Sequence, residues 1–189
     1  MPGTTVWSAL LLGLAVGGAA CREEPSMGEL KAEIRERYPQ VSQIDVQAFH
    51  QARRGDRGGE ILLLDARQPQ EFAVSHLPGA VLSPDLDGAL QALQGRSPAQ
   101  PVVVYCSVGY RSSALAAQLQ DRGFGNVRNL EGSLFEWANV GLPLVREGRS
   151  VKEAHPYDRR WGRYLKPELW AFEADGSTES DSKAEERRR

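Results

Sequence analysis

The sequence has few of the residue types from which metal and redox sites are built. Its 189 residues include only two cysteines, Cys21 and Cys106, and three histidines. The chain has no CxxC pair, and its histidines form neither an HExxH nor an HxH pattern. These absences argue against a zinc site and against a thioredoxin-type redox pair. We therefore expect neither a metal nor a bound cofactor.

The sequence also lacks a large excess of charge of either sign. Its 23 basic and 25 acidic residues give a formal net charge of -2. Domains that bind nucleic acid are usually strongly basic on one face, so a nucleic-acid partner is not expected. The hydrophobic content of 41% is enough for an ordinary globular core, and the length suits a single domain with tails.

An uncharged stretch, VWSALLLGLAVGGAA, occupies residues 6–20. As a helix it would be about 22 Å long, which is shorter than the ~30 Å hydrocarbon core of a bilayer. Its length matches the apolar region of a secretory signal peptide better than a membrane span. We therefore expect residues 1–20 to be a signal peptide and the protein to be exported, to a periplasmic or membrane-anchored location.

The small residues Gly18, Ala19 and Ala20 lie directly before Cys21 and resemble a bacterial lipobox. In a lipobox the cysteine is lipidated and becomes the mature N-terminus, so the resemblance implies a membrane anchor at Cys21. Two features depart from the pattern: Gly18 stands where leucine is usual, and no Lys or Arg precedes the apolar stretch. Ordinary cleavage after Ala20 and an uncleaved, tilted anchor stay open as alternatives.

Strand and helix patterns alternate along the rest of the chain. Leu30, Ile34 and Tyr38 recur at helical spacing before Pro39, and the apolar run Val102–Tyr105 is the strongest strand signal. Further strands are predicted at Val41–Ile44, Ile61–Leu64, Ala80–Leu82 and Val127–Leu130, and further helices near Asp45, Pro69, Leu86, Ser112 and Ser133. Asp45 and Ser133 are predicted to cap the helices that follow them. This alternation predicts an α/β fold with a parallel central sheet of about five strands and helices on both faces.

These patterns suggest a division of the chain into five parts. We expect residues 1–20 to be the signal peptide, 21–28 a polar tether, 29–147 the globular domain, 148–174 an aromatic and basic extension, and 175–189 a disordered tail. The tail has no apolar residue beyond one alanine, so it cannot bury enough surface to fold.

The residue that carries the chemistry is predicted to be Cys106, at the end of a buried strand. It is followed by Gly109, which allows a tight turn, by Arg111, and by the start of a helix. Loop amides, the helix N-terminus and a nearby cation all favour the reactive thiolate. Lowering a thiol pKa by two units needs about 2.7 kcal/mol, which one or two hydrogen bonds to a charged sulfur can supply at ~1.5–3 kcal/mol each. We interpret Cys106 as a nucleophile, with a small buried apolar side chain as the alternative.

Three ordered motifs resemble those of the single-domain rhodaneses, a family of sulfurtransferases. The first is the active loop CxxGxR-S, matched by Cys106-Ser107-Val108-Gly109-Tyr110-Arg111-Ser112. The second is D-x-R…E-[FY]…H-x-x-G-A, matched by Asp65-Ala66-Arg67, Glu71-Phe72 and His76-Leu77-Pro78-Gly79-Ala80. The third is the looser E-G-G…W, matched by Glu131-Gly132-Ser133…Trp137. The resemblance covers roughly residues 41–143.

The resemblance implies a thiosulfate sulfurtransferase in which the catalytic Cys106 carries a persulfide. A small anionic donor such as thiosulfate would supply the sulfur, and a thiol, cyanide or a protein thiol would accept it. The substrate-binding residues implied by the active loop are Ser107, Val108, Gly109, Tyr110, Arg111 and Ser112, and we add Arg67 as a further contact to the donor. If Cys21 is lipidated, no resolving cysteine remains and turnover needs an external acceptor.

The upstream motif is expected to support the site from outside it. We assign structural roles to Asp65, Glu71 and His76. Arg67 has a structural alternative to donor binding, because with Asp65 it commonly fixes the sheet edge and loop in this family. For His76 the alternative is a general base paired with Cys106.

Two other functions stay open at this point. Phosphatases and arsenate reductases of the same fold place five residues between cysteine and arginine, whereas four separate Cys106 from Arg111. A rhodanese-like binding module would bind a partner with little catalysis, although such modules often lack the cysteine. The aromatic and basic residues 155–164 are expected to pack onto the domain, where they could narrow the mouth of the site; gripping an anion or a partner is the alternative.

Overall fold

Seven helices and seven strands lie within residues 24–55 and 58–174, the part of the chain that the computed structural model describes. The helices are α1 (Met27–Arg37), α2 (Val46–Arg54), α3 (Pro69–Val74), α4 (Leu86–Leu93), α5 (Tyr110–Asp121), α6 (Ser133–Asn139) and α7 (Arg159–Gly162). The strands are β1 (Ser42–Ile44), β2 (Leu62–Asp65), β3 (Ala80–Leu82), β4 (Val102–Tyr105), β5 (Val127–Leu130), β6 (Leu144–Arg146) and β7 (Arg149–Val151). Two 3-10 turns occupy Gly58–Glu60 and Pro167–Leu169.

The predicted signal peptide, Cys21 and the predicted disordered tail at 175–189 lie outside the described residues. Within residues 24–55 and 58–174, no helix combines the length and the apolar character needed to cross a bilayer.

Strands β1 to β5 form one parallel sheet in the order β1-β5-β4-β2-β3. The central strand β4 pairs with β2 through Val103 and Leu63 and with β5 through Val103 and Arg128. Every residue of β2 and β4 is buried, as expected for parallel strands that are covered on both faces. The predicted α/β fold with a parallel sheet of about five strands is confirmed.

The core consists of two apolar layers separated by this sheet. Alternate residues of β4 point to opposite layers, so Val103 and Tyr105 lie in one and Val102, Val104 and Cys106 lie in the other. Helices α1, α2 and α6 cover the first layer, and helices α4 and α5 cover the second. This alternation brings Cys106 to the end of β4 against the layer that contains α5.

Local hydrogen bonds explain where the helices begin. Asp45 caps α2 by accepting from the amides of Gln47 and Ala48 at 3.0 and 2.9 Å, as the sequence suggested. Ser26 and Glu29 form a capping box, so α1 begins at Met27, inside the expected tether of residues 21–28.

The C-terminal extension of residues 148–174 shares the core of the sheet domain. Tyr164 and Leu165 are buried in the layer formed by α1, α2 and α6. Asn139 joins the two parts, because its Nδ2 donates to Tyr164 O at 2.8 Å and its Oδ1 accepts from Lys166 N at 2.9 Å. The extension also reaches the start of the described chain, where Tyr164 Oη donates to Pro25 O at 2.8 Å. It therefore folds as part of the domain.

We expect Leu165→Ala to lower the free energy of unfolding by ~2–5 kcal/mol, because it opens a cavity in this shared core. Urea unfolding followed by circular dichroism and by tryptophan fluorescence should show one shared transition at a lower midpoint. Val140→Ala, at a side chain that is 49% exposed, is the control and should change stability little. A separate early transition for the extension would contradict the shared core.

Candidate active site

Cys106 lies where β4 ends, in the tight loop that leads into α5. It is 1% exposed, and the Gly109 amide donates to its Sγ at 3.2 Å. Gly109 has a φ of +112°, and a Cβ at this position would lie 3.2 Å from Asn129 Nδ2. The turn that aims this amide at the sulfur therefore requires glycine.

The first turn of α6 holds the Cys106 loop in place. The amides of Leu134 and Phe135 donate to the carbonyls of Cys106 and Ser107 at 3.1 and 3.0 Å. Ser133 Oγ accepts from the Cys106 amide at 3.2 Å and donates to Leu130 O at 2.9 Å. The sequence interpretation of Ser133 as a helix cap was wrong, because the N-cap is Gly132 in a left-handed conformation and Ser133 is the first helical residue.

Glu71 and Arg111 form a bidentate ion pair next to the loop. Arg111 Nη1 donates to Glu71 Oε2 and Arg111 Nη2 to Glu71 Oε1, both at 2.8 Å. Ser107 Oγ joins the pair, donating to Glu71 Oε1 at 3.1 Å and accepting from Arg111 Nη2 at 3.0 Å. Burial alone would raise the pKa of Glu71, but the hydrogen bonds and charge of Arg111 outweigh it and lower the pKa. Glu71 is therefore ionised where it binds the loop.

The surroundings of Cys106 favour its thiolate. Burial alone would raise the pKa of the thiol. The charge of Arg111 and hydrogen bonds from the amides of Ser112 and Gly109 outweigh that effect, so the pKa lies below its usual value. Cys106 is therefore a buried cysteine with the electrostatics of a nucleophile.

The structure corrects the prediction that Arg67 contacts a sulfur donor. The guanidinium is fully buried, with Nε 2.9 Å from Asp65 Oδ1 and Nη2 2.7 Å from Asp65 Oδ2. Its Nη2 also donates to Ser75 O at 2.7 Å. Arg67 thus takes the structural alternative, in which it links the end of β2 to the end of α3.

His76 lies apart from the reactive sulfur. Its Nδ1 is 3.0 Å from Phe72 O, and its ring stacks on the Phe72 ring with the centroids 3.7 Å apart. Its backbone pairs with Val145, and the ring is absent from the lining of the cavity at Cys106. This position fits the expected structural role and offers no general base to Cys106.

A cavity of about 170 Å³ opens beside Cys106. Its lining consists of Cys106, Ser107, Val108, Tyr110, Arg111, Tyr157 and Trp161. Two other loop residues that were predicted to bind substrate, Gly109 and Ser112, are not in this lining. Gly109 offers its amide to the sulfur, and Ser112 directs its hydroxyl to Asn129 Oδ1 at 2.6 Å.

Tyr157 and Trp161 were not individually predicted to line the site, although residues 155–164 were expected to pack onto the domain, where they could narrow its mouth. Both belong to the C-terminal extension, and the only sequence signal was the interleaving of aromatic and basic residues in 155–164. Within the described ranges, no group of three or more His, Cys, Asp or Glu side chains is placed to hold a metal ion.

Comparison with known proteins agrees with this architecture. Residues 48–140 match the rhodanese-like domain. A sulfurtransferase of Allochromatium vinosum is 36% identical over 109 residues, which cover 56% of this chain and 95% of that protein. The chain belongs to the rhodanese-like family.

A further relative is matched over less than half of its own length. A tRNA uridine(34) hydroxylase of Xanthomonas euvesicatoria is 34% identical over 103 residues, which are 52% of this chain but 42% of that protein. The crystal structure of a thiosulfate sulfurtransferase from Pseudomonas aeruginosa superimposes with a TM-score of 0.54 at 18% identity, covering 73% of this chain and 26% of that one. The structural likeness shows the fold alone.

The lowered pKa of Cys106 predicts the pH dependence of its alkylation. The rate of reaction with iodoacetamide should rise with pH to a plateau. The midpoint of the rise should lie below the pKa of ~8.5 of a free cysteine. Arg111→Met should move the midpoint upward, because it removes the cation and leaves the Glu71 carboxylate unpaired. Mass spectrometry of the Cys106 peptide measures the rate. A wild-type midpoint at or above that of free cysteine would contradict the electrostatic argument.

Glu71→Gln tests the ion pair without changing the shape of the side chain. We expect stability at neutral pH to fall by ~1–3 kcal/mol, a buried-pair value discounted for the partial exposure of Arg111. Because the folded-state pKa of Glu71 is lowered, its contribution is full above the unfolded pKa of ~4.3 and is lost as pH falls through the folded value. The difference from wild type should therefore disappear in acid. Glu36→Gln, at an exposed position, is the control for urea unfolding at both pH values.

Proposed function

We propose that this rhodanese-like protein is a sulfurtransferase that carries sulfane sulfur as a persulfide on Cys106. The observation that supports the proposal most directly is the Gly109 amide directed at Cys106 Sγ at 3.2 Å, in a loop that lowers the pKa of the thiol. A thiolate held in this way is both a nucleophile and a site where an added sulfur anion is stabilised. The relative from Allochromatium vinosum is named a sulfurtransferase, and its match to this chain covers 95% of its own length.

The loading step is a displacement at sulfur. The Cys106 thiolate attacks the outer sulfur of thiosulfate, a sulfur–sulfur bond forms, and the bond between that sulfur and the sulfonate breaks. Sulfite leaves with the electron pair, and the added sulfur becomes the terminal anion of the Cys106 persulfide. In this state the loop amides stabilise the terminal sulfur, which is the role that the Gly109 amide has toward Sγ in the free thiolate.

Discharge needs an acceptor from outside the domain. Cys106 is the only cysteine among residues 24–55 and 58–174, so no second thiol of that region can form an internal disulfide with it. An external thiolate, or cyanide, attacks the terminal sulfur and returns Cys106 to its thiolate form. The small cavity beside Cys106 is the route by which such an acceptor reaches the buried sulfur.

We also propose that residues 1–20 direct export and that Cys21 is lipidated, placing the domain at a membrane surface. The support is the uncharged stretch followed by small residues and a cysteine. A radiolabelled fatty acid should be incorporated into the wild-type chain and not into Cys21→Ser. Label in both proteins, or in neither, would contradict lipidation at Cys21.

The first measurement is the intact mass of the protein after treatment with thiosulfate and desalting. Wild type should gain the mass of one sulfur atom, and Cys106→Ser should gain none. A parallel pair in the Cys21→Ser background excludes a contribution from the other thiol. If wild type gains no sulfur from thiosulfate, polysulfide or glutathione persulfide, the sulfurtransferase proposal fails and a partner-binding module becomes the better account.

A further inference from the structure

The cavity over Cys106 has a wall that comes from outside the family domain. Tyr157 and Trp161 line it together with Val108, Tyr110 and Arg111 of the loop. The rhodanese-like match ends at residue 140, so this pair of aromatic side chains is an addition of the C-terminal extension. We call Tyr157 and Trp161 the aromatic wall.

The backbone holds the aromatic wall in a position that costs conformational energy. Tyr157 has a φ of +70°, which is unfavourable for any residue other than glycine. Its amide donates to His155 Nδ1 at 2.9 Å, and burial lowers the pKa of His155, which favours the neutral ring that can accept this bond. Tyr157 is nevertheless 46% exposed, so packing in the core does not explain why a bulky residue occupies the strained position. Strain of this kind tends to be retained at functional sites.

Trp161 is held independently of Tyr157. Its amide donates to Asp158 Oδ1 at 2.8 Å in the cap of α7, and its ring lies 6.1 Å from the Tyr164 ring between centroids. The next residue, Gly162, is packed so closely on Trp170 that a Cβ would lie 2.7 Å from its ring. Helix α7 therefore places the indole at the cavity without help from a ligand.

Charge at the cavity is largely compensated. Arg111 is the only cation among the lining residues, and both of its terminal nitrogens are bonded to Glu71. The carbon of the Arg111 guanidinium also lies 5.0 Å from the centre of the Tyr157 ring. The lining thus offers aromatic and aliphatic surface with little uncompensated positive charge, which suits an apolar group.

We propose that the aromatic wall binds the carbon body of an organic sulfur compound, a thiol or persulfide whose substituent is aromatic or otherwise apolar. This inference rests on the proposed sulfurtransferase function and names the substrate class of the same site. The thiolate of the compound attacks the terminal sulfur of the Cys106 persulfide. The new sulfur–sulfur bond forms on the compound, and the bond to Cys106 Sγ breaks with its electron pair on Sγ. The reverse reaction loads Cys106 from the organic persulfide, so one binding site serves both directions.

The first arm of the test compares two acceptors on persulfide-loaded protein. Benzyl mercaptan carries an aromatic ring and 2-mercaptoethanol does not. The ratio of their second-order rate constants with the protein is divided by the same ratio measured with glutathione persulfide in solution, which corrects for the intrinsic reactivity of the two thiols. We expect wild type to prefer benzyl mercaptan by about tenfold or more, the range that filling an apolar pocket gives. A corrected ratio near one would overturn the proposal.

Variants assign any preference to the aromatic wall. Tyr157→Gly removes the ring and also relieves the positive φ, so it should fold, and Trp161→Phe keeps an aromatic ring. The corrected ratio should fall severalfold in Tyr157→Gly and in Trp161→Ala, and should be largely kept in Trp161→Phe and in Val140→Ala. A ratio that is unchanged in Tyr157→Gly and Trp161→Ala would overturn the role of the wall.

The second arm measures binding alone, so that it does not depend on sulfur transfer. In Cys106→Ser, the indole N–H of Trp161 is followed by NMR during titration with benzyl mercaptan, with Trp161→Phe used to assign the signal. We expect a saturable shift, and binding at least tenfold weaker for 2-mercaptoethanol. A shift in protein that forms no persulfide would support the site and reject only the proposed function. No shift at all would overturn the site even if persulfide forms.

Discussion

Glu71 and Arg111 meet through two hydrogen bonds of 2.8 Å, and much of the site is arranged around that contact. Arg111 supplies the charge that lowers the pKa of Cys106, and the carbon of its guanidinium lies 5.0 Å from the centre of the Tyr157 ring. Ser107 is bound to both partners, so the loop is fixed to the same pair. Removing either charge leaves the other poorly compensated in a largely buried place. The reactivity of the sulfur and the shape of the cavity are therefore coupled through one cation.

This pairing has different effects at different distances. Next to Cys106 Sγ, the Gly109 amide acts through a contact of 3.2 Å that Glu71 does not weaken. Farther away, a compensated ion pair acts on a charge as a dipole, whose influence falls off more steeply than that of a lone cation. The arrangement therefore stabilises an anion that has already formed on Cys106 more effectively than it attracts one from solution.

The sheet and the reactive loop could be predicted from the sequence because their signals are local. The apolar runs of β2 and β4, and the Cys-x-x-Gly-x-Arg spacing, lie within short segments. The support from Ser133 could not be predicted, since it depends on the left-handed backbone at Gly132 and on packing of α6 against a loop that is distant in sequence. The burial of Arg67 and the position of Tyr157 likewise depend on how separate segments pack, which a residue pattern does not specify.

Tyr164 and Arg163 join the extension to the start of the described chain, where Tyr164 bonds to Pro25 O and Arg163 to Glu24, each at 2.8 Å. The Trp161 ring lies next to the Tyr164 ring, so the contacts between Glu24 and the cavity mouth pass through very few residues. Only three peptide units separate Cys21 from Glu24, and a fully extended chain of this length spans at most ~10 Å. An anchor at Cys21 would thus keep the mouth of the cavity close to the surface that bears the anchor.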